Sequence, residues 1–189
     1  MRFKFKNIND VLVSEKIANY VDFDTPSFKF CSLNWALKNT NSFCANIIKM
    51  APIQGNHKYT IVDVKVHDLQ IGVVPALPHW HLDCIGNPLD KRKEELHHLF
   101  ITEGSLTEFP QNSIETEINP EERNFVLNHL PFVPVKIEPY RIYSYGRVPH
   151  RATPAYKNCK RLLIRVTETN VIAPRNSLFE PTYYTKGTV

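Results

Sequence analysis

The segment Pro78-His79-Trp80-His81-Leu82-Asp83-Cys84 concentrates side chains able to ligate a metal. In extended backbone, residues i and i+2 project to the same side. His81 and Asp83 can therefore aim an imidazole nitrogen and a carboxylate oxygen at one point. A second imidazole would complete a face of two histidines and one carboxylate, leaving the other half of an octahedron open for substrate and oxygen, as in non-haem Fe(II) sites. His150 is the best candidate, because it follows the strand-like run Arg141-Ile142-Tyr143-Ser144-Tyr145, which ends in Gly146 and Pro149. An HxD pair alone is common by chance; His79 and His81 would be ordinary surface residues, and His97-His98 could simply flank a strand. The pair gains weight from Arg161 and Arg165, which flank the apolar run Leu162-Leu163-Ile164. Arginine inside an apolar strand is costly without a buried anion. Near a metal, it suits a carboxylate ligand gripped by two parallel N–H groups.

These side chains need a rigid frame, and the hydropathy pattern points to strands. In Thr60-Ile61-Val62-Asp63-Val64-Lys65-Val66 the three valines share one face, with Asp63 and Lys65 opposite, a period of two. Strand-type runs recur at Leu69–Val74, His97–Thr102, Leu106–Phe109, Val133–Glu138, Arg141–Tyr145 and Arg161–Thr167. Proline, glycine and asparagine punctuate them, so the chain reads as a mainly β sandwich or barrel, not as alternating βα units. One helix is expected among the strands: Asn119 caps it, Pro120 opens it, Glu121 and Glu122 complement its dipole, and Phe125, Val126 and Leu130 face inward. The N-terminal part reads as helical in places. Asn9 or Asp10 caps a helix carrying Val11, Leu12, Ile17, Ala18 and Val21, and Ser32 or Ser42 starts later short helices. The chain thus divides into an N-terminal helical or irregular flank (1–57), a β core (58–170) and a tail (171–189) within one domain.

Composition narrows the function classes. With 189 residues, 42% hydrophobic and 22% charged, the chain has the balance of a single globular domain with a real core. Six glycines and 14 prolines exclude collagen-like and low-complexity classes and imply ordered turns. The net charge of +4 is mild, and Lys91-Arg92-Lys93 is cancelled by Glu94-Glu95, which reads as a solvated loop. A nucleic-acid partner is allowed by that charge but not argued by it. No run approaches the ~18 apolar residues of a membrane span, so no membrane partner is expected. The basic Met1–Lys6 leads into Asn7-Ile8-Asn9-Asp10, so no secretory signal is expected either. Cys31, Cys44, Cys84 and Cys159 are widely spaced and form no CxxC pair, which favours a cytoplasmic protein over a disulfide or zinc-knuckle framework.

Taken together, His81-Leu82-Asp83, His150 at 67 residues beyond Asp83 and Arg161 at 11 beyond His150 resemble the signature of the Fe(II)/2-oxoglutarate-dependent dioxygenases. That signature is HxD, then a distal His, then an Arg a dozen or so residues later. The stretch His150–Thr167 looks like the last two core strands of that family, and the resemblance spans roughly Tyr59 to Thr169. It implies a double-stranded β-helix, or jelly roll, with iron held by His81, Asp83 and His150. It also implies 2-oxoglutarate chelating the iron, its far carboxylate held by an arginine, with O2 as the second cosubstrate. Arg161 fits the spacing of many members, whereas Arg165, within Arg-x-Thr, fits the taurine-dioxygenase-like subgroup. The two share one side of an ideal strand, so one can serve cosubstrate and the other substrate, and Arg161 is slightly favoured for 2-oxoglutarate. The implied activity is hydroxylation of an organic substrate, a small molecule or a side chain, with release of succinate and carbon dioxide. Tyr59, Trp80, Tyr143 and Tyr145 are candidate pocket walls.

Two other classes compete. A cupin uses the same barrel with an HxH pair, here His79 and His81 with His150, but no glutamate follows until Glu94, and the glycines of cupin motifs are missing. A non-catalytic β-barrel binding module would carry the histidines incidentally. Metal content separates that module from both enzymes, and succinate formation separates the enzymes from each other. Substrate identity and oligomeric state are not written in these residues.

Overall fold

The computed structural model describes residues 2–83, 95–117 and 127–171. In chain order the first elements are β1 (Arg2–Phe5), a 3₁₀ turn (Ile8–Asp10), β2 (Leu12–Val13), β3 (Phe28–Ser32), α1 (Leu33–Asn39) and α2 (Ser42–Met50). Then follow β4 (Tyr59–Leu69), β5 (Leu96–Ile101), β6 (Thr107–Pro110), β7 (Ile114–Glu117), β8 (Pro134–Lys136), β9 (Ile142–Tyr145), β10 (Arg151–Ala152) and β11 (Cys159–Thr169). Six strands form one antiparallel sheet in the order β2-β9-β5-β11-β4-β3, three form a second, β10-β6-β8, and β1 pairs with β7. The chain is therefore mainly β, with two short helices.

The pairings are nested. Outermost, β4 and β11 pair along their full length, from Tyr59 opposite Thr169 to Leu69 opposite Cys159. Inside them, His81 bridges His150 through backbone hydrogen bonds of 3.1 and 3.0 Å, and Ala152 N–H donates to the Leu77 carbonyl. Next come β5 with β9, and innermost β6 with β8. Two lateral pairings, β11 with β5 and β10 with β6, hold alternate layers of this nest side by side.

The six-stranded sheet is covered on both faces. Val62, Val64, Phe100, Ile142, Leu162, Ile164 and Val166 meet Ala36, Cys44, Ile47 and Ile48 of the two helices. On the other face Leu99, Ile101, Tyr143 and Tyr145 meet Phe109 of the smaller sheet, together with Val11, Ile137 and Val148. Each helix starts where a polar side chain satisfies a free N–H. The Ser32 hydroxyl accepts from Trp35 N–H, and Asn41 Oδ1 accepts from Cys44 N–H. Ser32 and Ser42 thus mark the helix starts as expected, with Asn41 capping the second. On the helix-covered side Glu168 is fully buried and accepts from Gln54 N–H, Gly55 N–H and His98 Nε2, while His98 Nδ1 meets the Ser144 hydroxyl.

Several expected elements differ. No helix follows Asn9 beyond the 3₁₀ turn. Leu12 and Val13 instead pair with Ser144 and Tyr143, completing the edge of β9, and Ile17 N–H donates to the Tyr140 carbonyl. The strand expected over Leu69–Val74 is not there. β4 ends at Leu69, Gly72 turns the chain at φ +84°, and Ile71 and Val73 are exposed. The 1–57 flank also contributes strand β3 to the large sheet. The helix expected from Asn119, with Phe125 and Val126, falls outside the described residues as far as 126; from Leu127 to Leu130 the chain forms a turn, with Leu127 and Leu130 packed near Trp80. Lys91–Glu94 and the tail beyond Val171 lie outside the described residues. Among those described, no helix is long and apolar enough to cross a membrane.

Candidate metal centre

The HxD segment is fixed from behind. Trp80 and Leu82 enter an apolar cluster with Phe5, Leu127 and Phe132, and the Arg151 guanidinium lies 4.8 Å from the Trp80 ring centroid. The Trp80 backbone is pinned at both ends, its N–H donating to Asn128 Oδ1 and its carbonyl accepting from Leu127 N–H. Alternation then sends His81 and Asp83 to the opposite side. There they meet His150, which the shared backbone bridge holds beside His81.

One ligand atom from each of His81, Asp83 and His150 lies within 4.8 Å of the other two. His81 Nε2 is 3.8 Å from Asp83 Oδ1, and His150 Nε2 is 3.3 Å from Asp83 Oδ2. Both imidazoles are oriented alike. His81 Nδ1 lies 2.7 Å from the His79 carbonyl, and His150 Nδ1 lies 3.1 Å from that of Val148. A carbonyl only accepts, so each Nδ1 carries a proton and each Nε2 faces the cluster. This is the outer-shell arrangement that fixes metal-ligating histidines. Burial, followed by the neighbouring His150, pulls the His81 pKa down to about 4, so its imidazole is neutral at physiological pH. Two imidazoles and a carboxylate suit a divalent first-row metal.

The carboxylate is held ionised. Burial alone would raise the pKa of Asp83, but Arg165 and His150 outweigh it and hold the group well below the usual carboxylate range. Arg165 Nη1 donates to Asp83 Oδ2 at 2.5 Å, while Nη2 and Nε donate to Asp63 Oδ2 at 2.7 and 3.1 Å. The other oxygen of Asp63 accepts from Phe30 N–H at 2.8 Å. Phe30 reaches it because β3 bulges between Phe28 and Cys31, with Phe30 itself at φ +56°, a conformation uncommon for a non-glycine residue.

Arg161 is placed differently. It lies on the same side of β11 as Arg165, opposite His67 of β4, and is 1% exposed. Among the described residues its Nε and Nη1 have no hydrogen-bond partner, and His67 Nδ1 beside it has none. Burial lowers the Arg161 pKa from 12.5 to about 10. Burial, then the Arg161 charge, lowers that of His67 to about 4. A buried guanidinium with unanswered N–H groups is complementary to an anion such as a carboxylate.

The expected site residues therefore divide. His81, Asp83 and His150 come together, Arg165 reaches them through Asp83, and Arg161 lies further along the same strand face. His79 is exposed, with Nδ1 taking a hydrogen bond from Asn128, and it is not part of the cluster. Tyr145 packs on the His150 ring at 5.1 Å, whereas Trp80 faces away and the Tyr143 hydroxyl accepts from Glu138 N–H. Asp63 was not among the expected site residues. Its signal was the Asp63-Lys65-His67 alternation, three ionisable groups on a face that the second sheet covers. His97, hydrogen-bonded to Thr167 and 3.5 Å from Glu95, is a second such neighbour. Cys31 and Cys44 are buried, which raises their thiol pKa values to about 11 and leaves them inert. Compared with protein-family models, curated proteins and solved structures, the chain matches none.

Proposed function

We propose that this protein is a non-haem Fe(II)- and 2-oxoglutarate-dependent dioxygenase on a double-stranded β-helix, hydroxylating an organic substrate. The nested pairing supports the fold reading: one long hairpin of eight segments, wound so that its layers fall alternately into two facing sheets, is a jelly roll. The donor set supports the metal. His81 Nε2, His150 Nε2 and one oxygen of Asp83 would hold Fe(II), with the Nδ1–H contacts to His79 and Val148 fixing both rings. The observation that carries the cosubstrate is Arg161, a buried cation with unpaired donors on the strand face that leads to the cluster. A five-carbon dicarboxylate chelating at the metal would extend its far carboxylate towards that guanidinium.

When bound, this cofactor pair supplies oxidative decarboxylation, in which 2-oxoglutarate leaves as succinate and carbon dioxide and the substrate gains a hydroxyl. The chain's own residues hold geometry. Arg161 grips the carboxylate by a charge-assisted fork, and Tyr145 and Phe109 wall the His150 side against water. The test is anaerobic titration of the protein with Fe(II) and 2-oxoglutarate. A visible metal-to-ligand charge-transfer band, followed by succinate on admitting oxygen, is the expected result. Metal bound without that band, and no succinate, would remove the dioxygenase reading and leave a cupin-like metal protein.

A further inference from the structure

We propose that Arg165 is a positioning residue whose task is to keep the coordination sphere open, by holding Asp83 to one ligating oxygen and Asp63 away from the metal. The inference rests on His81, Asp83 and His150 being the metal ligands. It goes beyond that reading by giving a role to an arginine and an aspartate that need not touch metal, cosubstrate or substrate.

The geometry carries the argument. Asp63 and Arg165 are directly opposed across β4 and β11, and the one guanidinium serves both carboxylates. Asp63 is fully engaged: Oδ2 accepts from Nη2 and Nε of Arg165, and Oδ1 accepts from Phe30 N–H. Among the described residues Asp83 Oδ2 is met by Arg165 Nη1 and, at 3.3 Å, by His150 Nε2, while its Oδ1 faces His81 Nε2 at 3.8 Å and makes no contact with the guanidinium. A carboxylate gripped at one oxygen has the other to offer, and so fills one coordination position rather than two. Without the clamp, the two carboxylates that share this guanidinium would be free to turn to a divalent cation held by Asp83, and hard oxygen donors crowd such an ion readily. Each added oxygen would remove a position that a chelating ligand requires.

The electrostatics give this role a distinctive sign. Arg165 is a fixed positive charge next to the metal site, and like charges repel. Its removal should not weaken metal binding, and should tighten it if Asp63 or the second Asp83 oxygen joins the metal. A merely structural arginine would act the other way, because loss of the fold loosens every ligand together. The bulge and the positive φ at Phe30 fit the same role, since they spend backbone strain on fixing a carboxylate outside the cluster.

The experiment uses the full chain loaded with Co(II), with imidazole as a neutral probe of open positions, insensitive to the lost charge. Co(II) affinity and imidazole affinity are read by visible absorption, and fold integrity by thermal melting, for the parent, Arg165→Met, Arg165→Lys and the double variant Asp63→Asn/Arg165→Met. The double variant removes the orphaned carboxylate and keeps the comparison if the single one does not fold. Expected for both Met variants are Co(II) affinity at least equal to the parent's and imidazole affinity lower by about tenfold, equivalent to ~1.4 kcal/mol. Arg165→Lys, which retains a donor to Asp83, should lie between. Unchanged imidazole affinity in Co(II)-loaded variants overturns the proposal, as does Co(II) affinity falling in step with melting temperature. Failure of the parent to bind Co(II) is a separate outcome, which removes the ligand set itself and this inference with it.

Discussion

Replacing Arg161 by methionine should make the ligand-free protein more stable and, on the proposed function, abolish binding of 2-oxoglutarate. Arg161 is 1% exposed, with Nε and Nη1 unpaired among the described residues. Burial lowers its pKa from 12.5 to about 10, and at about 1.36 kcal/mol per tenfold change this is a cost of ~3 kcal/mol on the charged form in the fold. The group is charged at pH 7.5 in both folded and unfolded chains, so the native state carries the whole cost there. For a cation whose folded value is depressed, that cost is relieved only as pH rises from about 10 towards 12.5. Methionine retains an unbranched stem of similar course and brings no charge. Allowing for some lost packing, the metal-free variant should be more stable by ~1–3 kcal/mol. At ~2–4 °C per kcal/mol for a chain of this size, its melting temperature should rise by ~2–12 °C.

Calorimetric melting with and without ligands checks both halves. With Fe(II) under anaerobic conditions, 2-oxoglutarate at a hundred times its dissociation constant should stabilise the parent by ~2.7 kcal/mol. The variant should respond to Fe(II) but gain nothing further from 2-oxoglutarate. If Arg161→Met melts below the parent without ligands, Arg161 is a paired structural residue and the anion argument fails. If the variant still gains from 2-oxoglutarate, the carboxylate is held elsewhere.

His79→Ala should keep full metal content, because His79 contributes to the site through its carbonyl, which alanine retains, whereas His81→Ala should lose the metal in the same elemental analysis. Glu168→Ala should cost ~3–5 kcal/mol in urea unfolding at pH 7, since it strands two buried N–H groups and His98. Burial would raise the pKa values of Glu168, Asp63 and Asp83, but their hydrogen bonds and cations lower them. The metal-free parent should therefore lose stability as pH falls, first below about 6.5, where His81 and His67, held neutral in the fold, take up protons on unfolding. The loss should steepen below ~4 as the carboxylates are protonated, which acid titration followed by circular dichroism will show. Gly104→Ala should destabilise by ~1–3 kcal/mol, since the residue sits at φ +106° and an added Cβ would come within 2.5 Å of Cys159 Sγ.

How far the sequence reveals this arrangement depends on whether a local pattern decides the outcome. The HxD pair was legible because alternation alone puts His81 and Asp83 on one side, and Trp80 and Leu82 pack the other. β4, β5, β9 and β11 were legible from their runs of apolar and β-branched residues. The edges were not: β1, β7 and β10 have two to four residues each and no period to detect. Leu12 and Val13 joined β9 because an open strand edge outbids the weak helix propensity of that segment. Asp63 was hidden for a different reason. Alternation separates the two faces of β4 but cannot say that both are covered, since that depends on a second sheet assembled from residues far along the chain. The same holds for the arginines: their cost in an apolar strand was readable, but which one already had carboxylate partners was not.

The nested pairing also bears on how the chain reaches this state. The innermost pair, β6 with β8, closes a short loop, whereas the outermost brings Asp63 to Arg165, 102 residues apart. Loop-closure entropy rises with that separation, and chains dominated by distant contacts fold slowly. The order of lowest cost is to zip from the centre outward, so His81 meets His150 only in the penultimate layer and Arg161 and Arg165 arrive with the last. Until β11 emerges from the ribosome and docks, the nascent chain can hold neither a clamped Asp83 nor a seated anion. Clamping of Asp83 is thereby coupled to the docking of β11, and a truncated product lacking that strand would leave the carboxylates of Asp83 and Asp63 without their shared guanidinium.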